Sequence, residues 1–231
     1  MTKAPAPLDG VRVLDLTRVL AGPYCTLTLS DLGAEIIKVE EPTRGDDIRG
    51  MQISERLGIS SYFLGLNRNK RSVGLDIRTQ EGRNVILDLV QRSDVLIENF
   101  RPGVMERLGL GIEVLRETNP RLIACSITGF GEDGPYKDRP AYDAVAQGLS
   151  GITSMFLAGD DAQLTGPTIA DNMTGYNACY GVLGALFERE RTGRAPRVEV
   201  NMMESAIAFI PCLLYTSDAA DEGLGVDLGG R

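Results

Sequence analysis

Short β-rich runs alternating with helix-period stretches predict an α/β fold, a Rossmann-like parallel sheet with flanking helices. Three observations carry this reading. The runs VRVLDLT (residues 11–17) and AEIIKVE (34–40) enclose the helical stretch AGPYCTLTLSDL (21–32), and strands joined through a helix pair parallel because the crossover returns the chain to the same edge. Runs of the same kind recur at 72–77 (SVGLDI), 94–99 (DVLIEN), 122–128 (LIACSIT) and 197–202 (RVEVNM). Between them, residues 79–92 bring Val85, Ile86, Leu89 and Val90 to one side of a helix.

Each element has its local reason. In the first unit Pro23 suits an opening helical turn, where its missing N–H leaves no bond unmade, and Gly33 suits the stop. Residues 171–192 (DNMTGYNACYGVLGALFERERT) place Tyr176, Tyr180, Leu183 and Phe187 at i, i+4, i+7 and i+11, the expected buried stripe of a long helix that ends at Gly193. Asp171 is expected as its N-cap, an ionised carboxylate facing unpaired N–H groups at the positive end of the helix dipole. After Pro211 the periodicity stops. The segment CLLYTSDAADEGLGVDLGGR resembles translated sequencing-library adapter DNA, CLLYTSDAADE matching a transposon end and GVDLGGR a flow-cell primer. Residues 212–231 are therefore expected to be a non-native tail on 1–211, the alternative being a natural Gly-rich terminus.

Composition excludes several chemistries. The 231 residues contain no histidine, so a Ser-His-Asp or Cys-His nucleophile system and His-ligated zinc are unavailable within one chain. Acid–base work falls to Asp, Glu, Lys, Tyr or Cys. The four cysteines, Cys25, Cys125, Cys179 and Cys212, have no CxxC spacing and read as buried free thiols in a reducing compartment. Lys and Arg number 24 against 32 Asp and Glu, a net charge of −8, which argues against nucleic acid as partner because phosphate-backbone binders displace counterions with a basic surface. No run reaches the about 20 apolar residues of a membrane span and the N-terminus lacks a signal-peptide core, so a cytoplasmic protein with no membrane partner is expected.

Among nucleophiles, Asp171 is best placed. It follows TGPTIA and opens a helix whose N-terminus can also stabilise an oxyanion. A carboxylate attacking an activated acyl group forms a mixed anhydride without a general base; simple helix capping is the other role such a residue fills. Basic residues gather in LNRNKRSVGLD and ENFRPGVMERLGL, where Arg68, Lys70, Arg71, Arg101 and Arg107 offer guanidinium and ammonium groups to a phosphorylated ligand, or form ordinary surface ion pairs. Neither G-x-G-x-x-G after the first strand nor a P-loop occurs.

Five blocks together resemble the class III CoA-transferases, the CaiB/BaiF family: LDGVRVLDLTRVLAGPYCTLTLSDLGAEIIKVE, GLNRNKRSVGLD, DVLIENFRPGVMERLGL, SITGFGEDGPYKDRPAYDAVAQGLSG, and TIADNMTGYNACYGVLGALFERERTGRAPRVEVNMMESA. They cover nearly all of residues 8–208 in the family's order. The resemblance implies the large domain of such an enzyme, with 1–211 its N-terminal part. It implies Asp171 as the nucleophilic aspartate that takes the acyl group from an acyl-CoA and passes CoA to an acceptor carboxylic acid. Asn99, Arg107 and Lys38 fall where the family contacts CoA, and Arg71 near its nucleotide end. Val19 and Ala21, with Arg18 and Leu20, fall along the acyl pocket, and Tyr142 with Asp143 beside the reacting centre. Coenzyme A then belongs to the substrate, no cofactor being permanently bound and no metal implied, and the full-length protein is expected as an interlocked homodimer. The block RPAYD holds Tyr142 where the family's 2-methylacyl-CoA racemases carry His, which weakens the racemase alternative, and Leu20 stands where formyl-CoA transferase has Gln. A non-catalytic CoA-binding module is the other alternative. Because the family's chains run much longer, the present chain alone is expected to be poorly folded or inactive.

Overall fold

A computed structural model describes residues 5–156 and 167–210. The chain alternates strand and helix as the sequence predicts. β1 (Arg12–Asp15), α1 (Ala21–Asp31) and β2 (Glu35–Glu40) form the first parallel unit. A 3₁₀ turn at Asp47–Gly50 and α2 (Ser61–Asn67) precede β3 (Lys70–Gly74). Then follow α3 (Gln80–Val90), β4 (Val95–Glu98), α4 (Val104–Arg107), α5 (Ile112–Thr118) and β5 (Ile123–Thr128). The remaining elements are α6 (Asp143–Ser150), α7 (Ile152–Phe156), α8 (Ile169–Thr192), β6 (Val198–Asn201) and α9 (Met202–Phe209).

The six strands lie in the order β3-β2-β1-β4-β5-β6, and every pairing is parallel. Side-chain alternation sends Val13, Ile36, Val95, Ile97, Ile123 and Cys125 to one face, where Cys25 and Leu29 of α1 and Ala178 and Val182 of α8 cover them. Leu14, Leu16, Val39 and Leu96 go to the other, under Ile86 and Val90 of α3 and Met105, Leu110 and Leu115. Helices on both faces make this a doubly wound sheet whose strand order reverses between β1 and β4, and a crevice opens outside the carboxyl ends of those two strands.

Three local expectations are corrected. β3 starts two residues earlier than the 72–77 run and stops at Gly74, because as an edge strand it takes its register from β2 alone, Ile36 opposite Lys70 and Glu40 opposite Gly74; Leu75 and Ile77 then turn inward against the second core. The buried face of α8 is not the aromatic stripe. Tyr180 and Phe187 are each 65% exposed, while Ala170, Thr174, Gly175, Ala178, Cys179, Val182, Ala185 and Leu186 are buried. Small residues let α8 approach α1 closely, and a hydrophobicity stripe ranks them below rings. Asp171 is not the N-cap: α8 opens at Ile169 with Thr168 in the cap position, which makes no side-chain capping bond. Cys25, Cys125 and Cys179 are free and buried, with burial raising all three thiols, Cys179 to about 11. Cys212 and the 212–231 tail lie outside the described residues.

Candidate active site

The crevice is built by the two loops that leave β1 and β4. After β1 the chain must turn sharply into α1, and Val19 adopts φ +65° to do so. A β-branched side chain clashes with its own backbone in that region, at a cost of about 1–3 kcal/mol, so surrounding groups must hold it. Asp15, buried at the end of β1, accepts from Thr17 N–H at 2.9 Å and from the Thr17 and Thr26 hydroxyls. Asn99, just past β4, accepts from Arg18 N–H at 2.8 Å and donates Nδ2–H to the Arg18 carbonyl at 2.8 Å. Asp46 Oδ1 accepts from Val19 N–H at 3.1 Å.

Asp171 reaches the same crevice from the first turn of α8. Its depth is set one turn on by Gly175, where a Cβ would stand 2.8 Å from the Ala21 carbonyl and 3.0 Å from Tyr24 Cβ. Only glycine permits this approach of α8 to α1. Asp143, first residue of α6, accepts from Asp171 N–H at 3.1 Å, and so performs from a neighbouring helix the capping expected of Asp171 itself. Gln147 donates to the other Asp143 oxygen and to the Pro167 carbonyl. Burial first, and the Asp143 charge second, push the Asp171 carboxyl up to about 7. The expectation of a carboxylate held ionised by the helix start therefore fails, because burial, and after it the Asp143 charge, disfavours the ionised form. Tyr62 of α2 is raised as well, by burial and by the nearby Asp171 and Asp143 charges, although its bond with Thr168 opposes this.

Of the residues selected from sequence, Val19, Ala21, Asn99, Tyr142 and Asp171 line one cavity of about 420 Å³. Tyr142 is 68% exposed at its mouth. Arg18, Arg101, Lys137 and Arg139 line it too. Lys137 and Arg139 escaped selection because they sit in a loop of mixed charge, GEDGPYKDRP, where sign counting picks out nothing. Lys38, Arg71 and Arg107 do not line this cavity, although Lys38 borders a second cavity beside it. Lys38 Nζ is buried in an ion pair with Asp46 Oδ2 at 3.0 Å and donates to the Thr17 carbonyl at 2.8 Å. Arg71, its side chain 78% exposed, pairs with Glu35 at the opposite, amino-terminal end of β2. Arg107 is exposed at the end of α4.

The basic cluster read from sequence is likewise dispersed. Lys70 Nζ is buried against Asp15, Pro23 O and Asn67 Oδ1, and Arg68 pairs with Asp31. A second, mainly apolar cavity of about 280 Å³ adjoins the first. The two share Arg18, Phe100 and Val104, and the Arg18 guanidinium lies 5.0 Å over the Phe100 ring. Among the described residues no three His, Cys, Asp or Glu are placed to hold a metal, and no helix is long and apolar enough to cross a membrane.

The doubly wound sheet thus brings the Asp171 carboxyl, four cationic side chains and an adjoining, mainly apolar cavity together at its switch point, where open α/β sheets bind their ligands. Comparison with known proteins gives the family. The model of CoA-transferase family III matches residues 8–227, and the chain belongs to that family. It is 42% identical over 212 residues to an acetyl-CoA:oxalate CoA-transferase of Acetobacter aceti, covering 90% of this chain and 54% of that protein. To the succinyl-CoA:glutarate CoA-transferase of Mus musculus it is 42% identical over 207 residues, covering 88% and 47%. Its fold matches a crystal structure of a CaiB/BaiF family protein from Brucella suis with a TM-score of 0.87 at 40% identity, covering 94% of this chain and 58% of that one. The chain thus spans about half the length of the curated relatives it matches.

Proposed function

We propose that the chain is the N-terminal part of a cytoplasmic CoA-transferase that moves CoA from an acyl-CoA to a carboxylic acid, with Asp171 as nucleophile. The observation that carries this is the Asp171 carboxyl, raised to about 7 and set in a cavity with Arg18, Arg101, Lys137 and Arg139. A carboxylate of raised basicity is the better nucleophile, and desolvation strips the water that would blunt it. One Asp171 oxygen attacks the thioester carbonyl and the C–S bond breaks. The acyl group stays on the carboxylate as a mixed anhydride, and CoA leaves as thiolate. The thiolate then attacks the aspartyl carbonyl, forming an aspartyl–CoA thioester and releasing the first acid as its carboxylate. The acceptor carboxylate reverses both steps, and Asp171 ends as a free carboxylate. No proton is transferred at carbon, so no histidine is required. The cations lining the cavity suit the carboxylates that enter and leave.

Coenzyme A is read as spanning both cavities, with the thioester beside Asp171 and the rest of the carrier passing Arg18 toward Phe100 and Val104. It is substrate, not resident cofactor. The complete enzyme is read as an interlocked homodimer, residues 1–211 as the native segment and 212–231 as an added tail, and this chain alone as inactive for want of the remaining half. The test is Asp171→Ala in the full-length protein: transfer disappears while CoA binding persists, and wild type accumulates a hydroxylamine-sensitive adduct on Asp171. Retained turnover refutes the assignment. Solvent deuterium entering the α-carbon without acceptor acid identifies a racemase, and binding without any adduct identifies a CoA-binding module.

A further inference from the structure

We propose that Asn99 and the buried Lys38–Asp46 pair are positioning residues that clamp the Thr17–Arg18–Val19 turn in its left-handed form and so fix the cavity wall opposite Asp171; this deepens the transferase reading and rests on it for its catalytic consequence. The family resemblance casts Asn99 and Lys38 as direct ligands of CoA. In the structure both already bond the backbone of this turn. Both ends of the Asn99 amide are spent on one residue's backbone, accepting from Arg18 N–H and donating to Arg18 C=O, each at 2.8 Å. Lys38 Nζ donates to the carbonyl of Thr17 at 2.8 Å and meets Asp46 Oδ2 at 3.0 Å. Asp46 Oδ1 in turn accepts from Val19 N–H at 3.1 Å and from Ile48 N–H at 3.2 Å. Asp46 is itself anchored, its N–H donating at 2.9 Å to Glu40 Oε2, which Arg49 Nε also grips at 2.6 Å.

Three consecutive residues are thus held through their backbone by side chains from β2, from the loop after β2 and from the loop after β4. The last residue in the grip, held through its N–H, is the one with the unfavourable conformation, Val19 at φ +65°. A strained turn persists only where its surroundings over-determine it, and here Arg18, Val19, Leu20 and Ala21 all border the cavity that holds Asp171. Releasing the grip lets Val19 relax to negative φ and moves the wall that has to meet the acyl group. The clamp is therefore coupled to the Val19 side chain. Glycine tolerates positive φ, so a glycine there needs the clamp less.

The experiment has two readouts. Amide hydrogen exchange on the full-length protein without substrate tests the clamp directly: Asn99→Ala accelerates exchange at Arg18 and Val19 by about tenfold or more and leaves Val13 and Leu14 of β1 unchanged. Asn99 is only partly buried, so the variant is expected to fold. If it does not, Asn99→Asp, which retains the acceptor and loses the donor, takes its place with a smaller effect. Turnover tests the consequence in a double-mutant cycle: Asn99→Ala lowers kcat/KM about tenfold or more in the Val19 protein and less than about threefold in the Val19→Gly protein. Unchanged exchange at Arg18 and Val19 overturns the clamp, and equal kcat/KM losses in the two backgrounds overturn its link to Val19. A direct CoA contact by Asn99 predicts that second result. If the parent protein shows no transfer at all, the transferase reading fails while exchange still decides the clamp.

Discussion

Replacing Asp171 should stabilise the protein, and increasingly so as pH rises from about 4 to about 7. Asp171→Asn removes a carboxyl held at about 7 against an ordinary value of 3.8. Because the folded state binds this proton more tightly than the unfolded chain, stability falls as pH rises from about 4 and levels off above about 7. At about 1.4 kcal/mol per pH unit, the full penalty at pH 8 approaches 4 kcal/mol, and at pH 5 it is nearer 2. Asp171 keeps some solvent contact, so the gain of the variant is expected to be about 2 kcal/mol larger at pH 8 than at pH 5. The amide is nearly isosteric, and the Asp171 N–H bond to Asp143 uses only backbone on that side, so packing is unchanged. The assay is urea unfolding of wild type and variant in the full-length protein at both pH values, compared by midpoint and slope. A gain that is the same at both pH values, or a loss at pH 8, would refute the reasoning that burial and Asp143 hold this carboxyl up.

Further outcomes follow from the same geometry. The kcat/KM of transfer should fall below an acid limb near pH 7 as Asp171 takes up its proton, and Asp143→Asn should move that limb to lower pH by part of the displacement only, since burial is its larger cause; a limb that stays put excludes Asp143. Gly175→Ala sets a methyl 2.8 Å from the Ala21 carbonyl, which as backbone cannot turn aside, so α1 and α8 part at a cost of about 1–3 kcal/mol, and turnover should fall about tenfold or more while the fold survives, as thermal unfolding and kinetics together would show. Glu98, pushed to about 7 chiefly by burial although Ser126 and the Phe100 N–H favour its ionised form, should make Glu98→Gln less destabilising at pH 8 than at pH 5 in the same urea assay.

The face of α8 shows how far pattern alone reaches. Tyr176, Tyr180 and Phe187 have the right spacing for a buried stripe, yet the side that packs is made mostly of alanine, glycine, threonine and cysteine, with Val182 and Leu186 among them. Periodicity weighs each side chain by its own transfer energy and is blind to what small size permits between two helices. The same blindness hid Gly175 and cast Asp171 as its own helix cap, because Asp143, which accepts its N–H, is 28 residues distant along the chain. Lys38 and Lys70 look like available cations in the sequence and are buried in ion pairs with Asp46 and Asp15.

The sequence by itself determined the α/β class, the parallel order of strand and helix, the exclusion of histidine chemistry and the family, since these depend on local alternation, composition and linear motifs. It also marked Asp171, through its place at a helix start within a family block. Only the tertiary structure decided which residues gather around that carboxyl, what its proton affinity is, and why Val19 can hold its turn. Those properties arise from burial and from bonds between residues far apart in the chain, and no local window contains both partners.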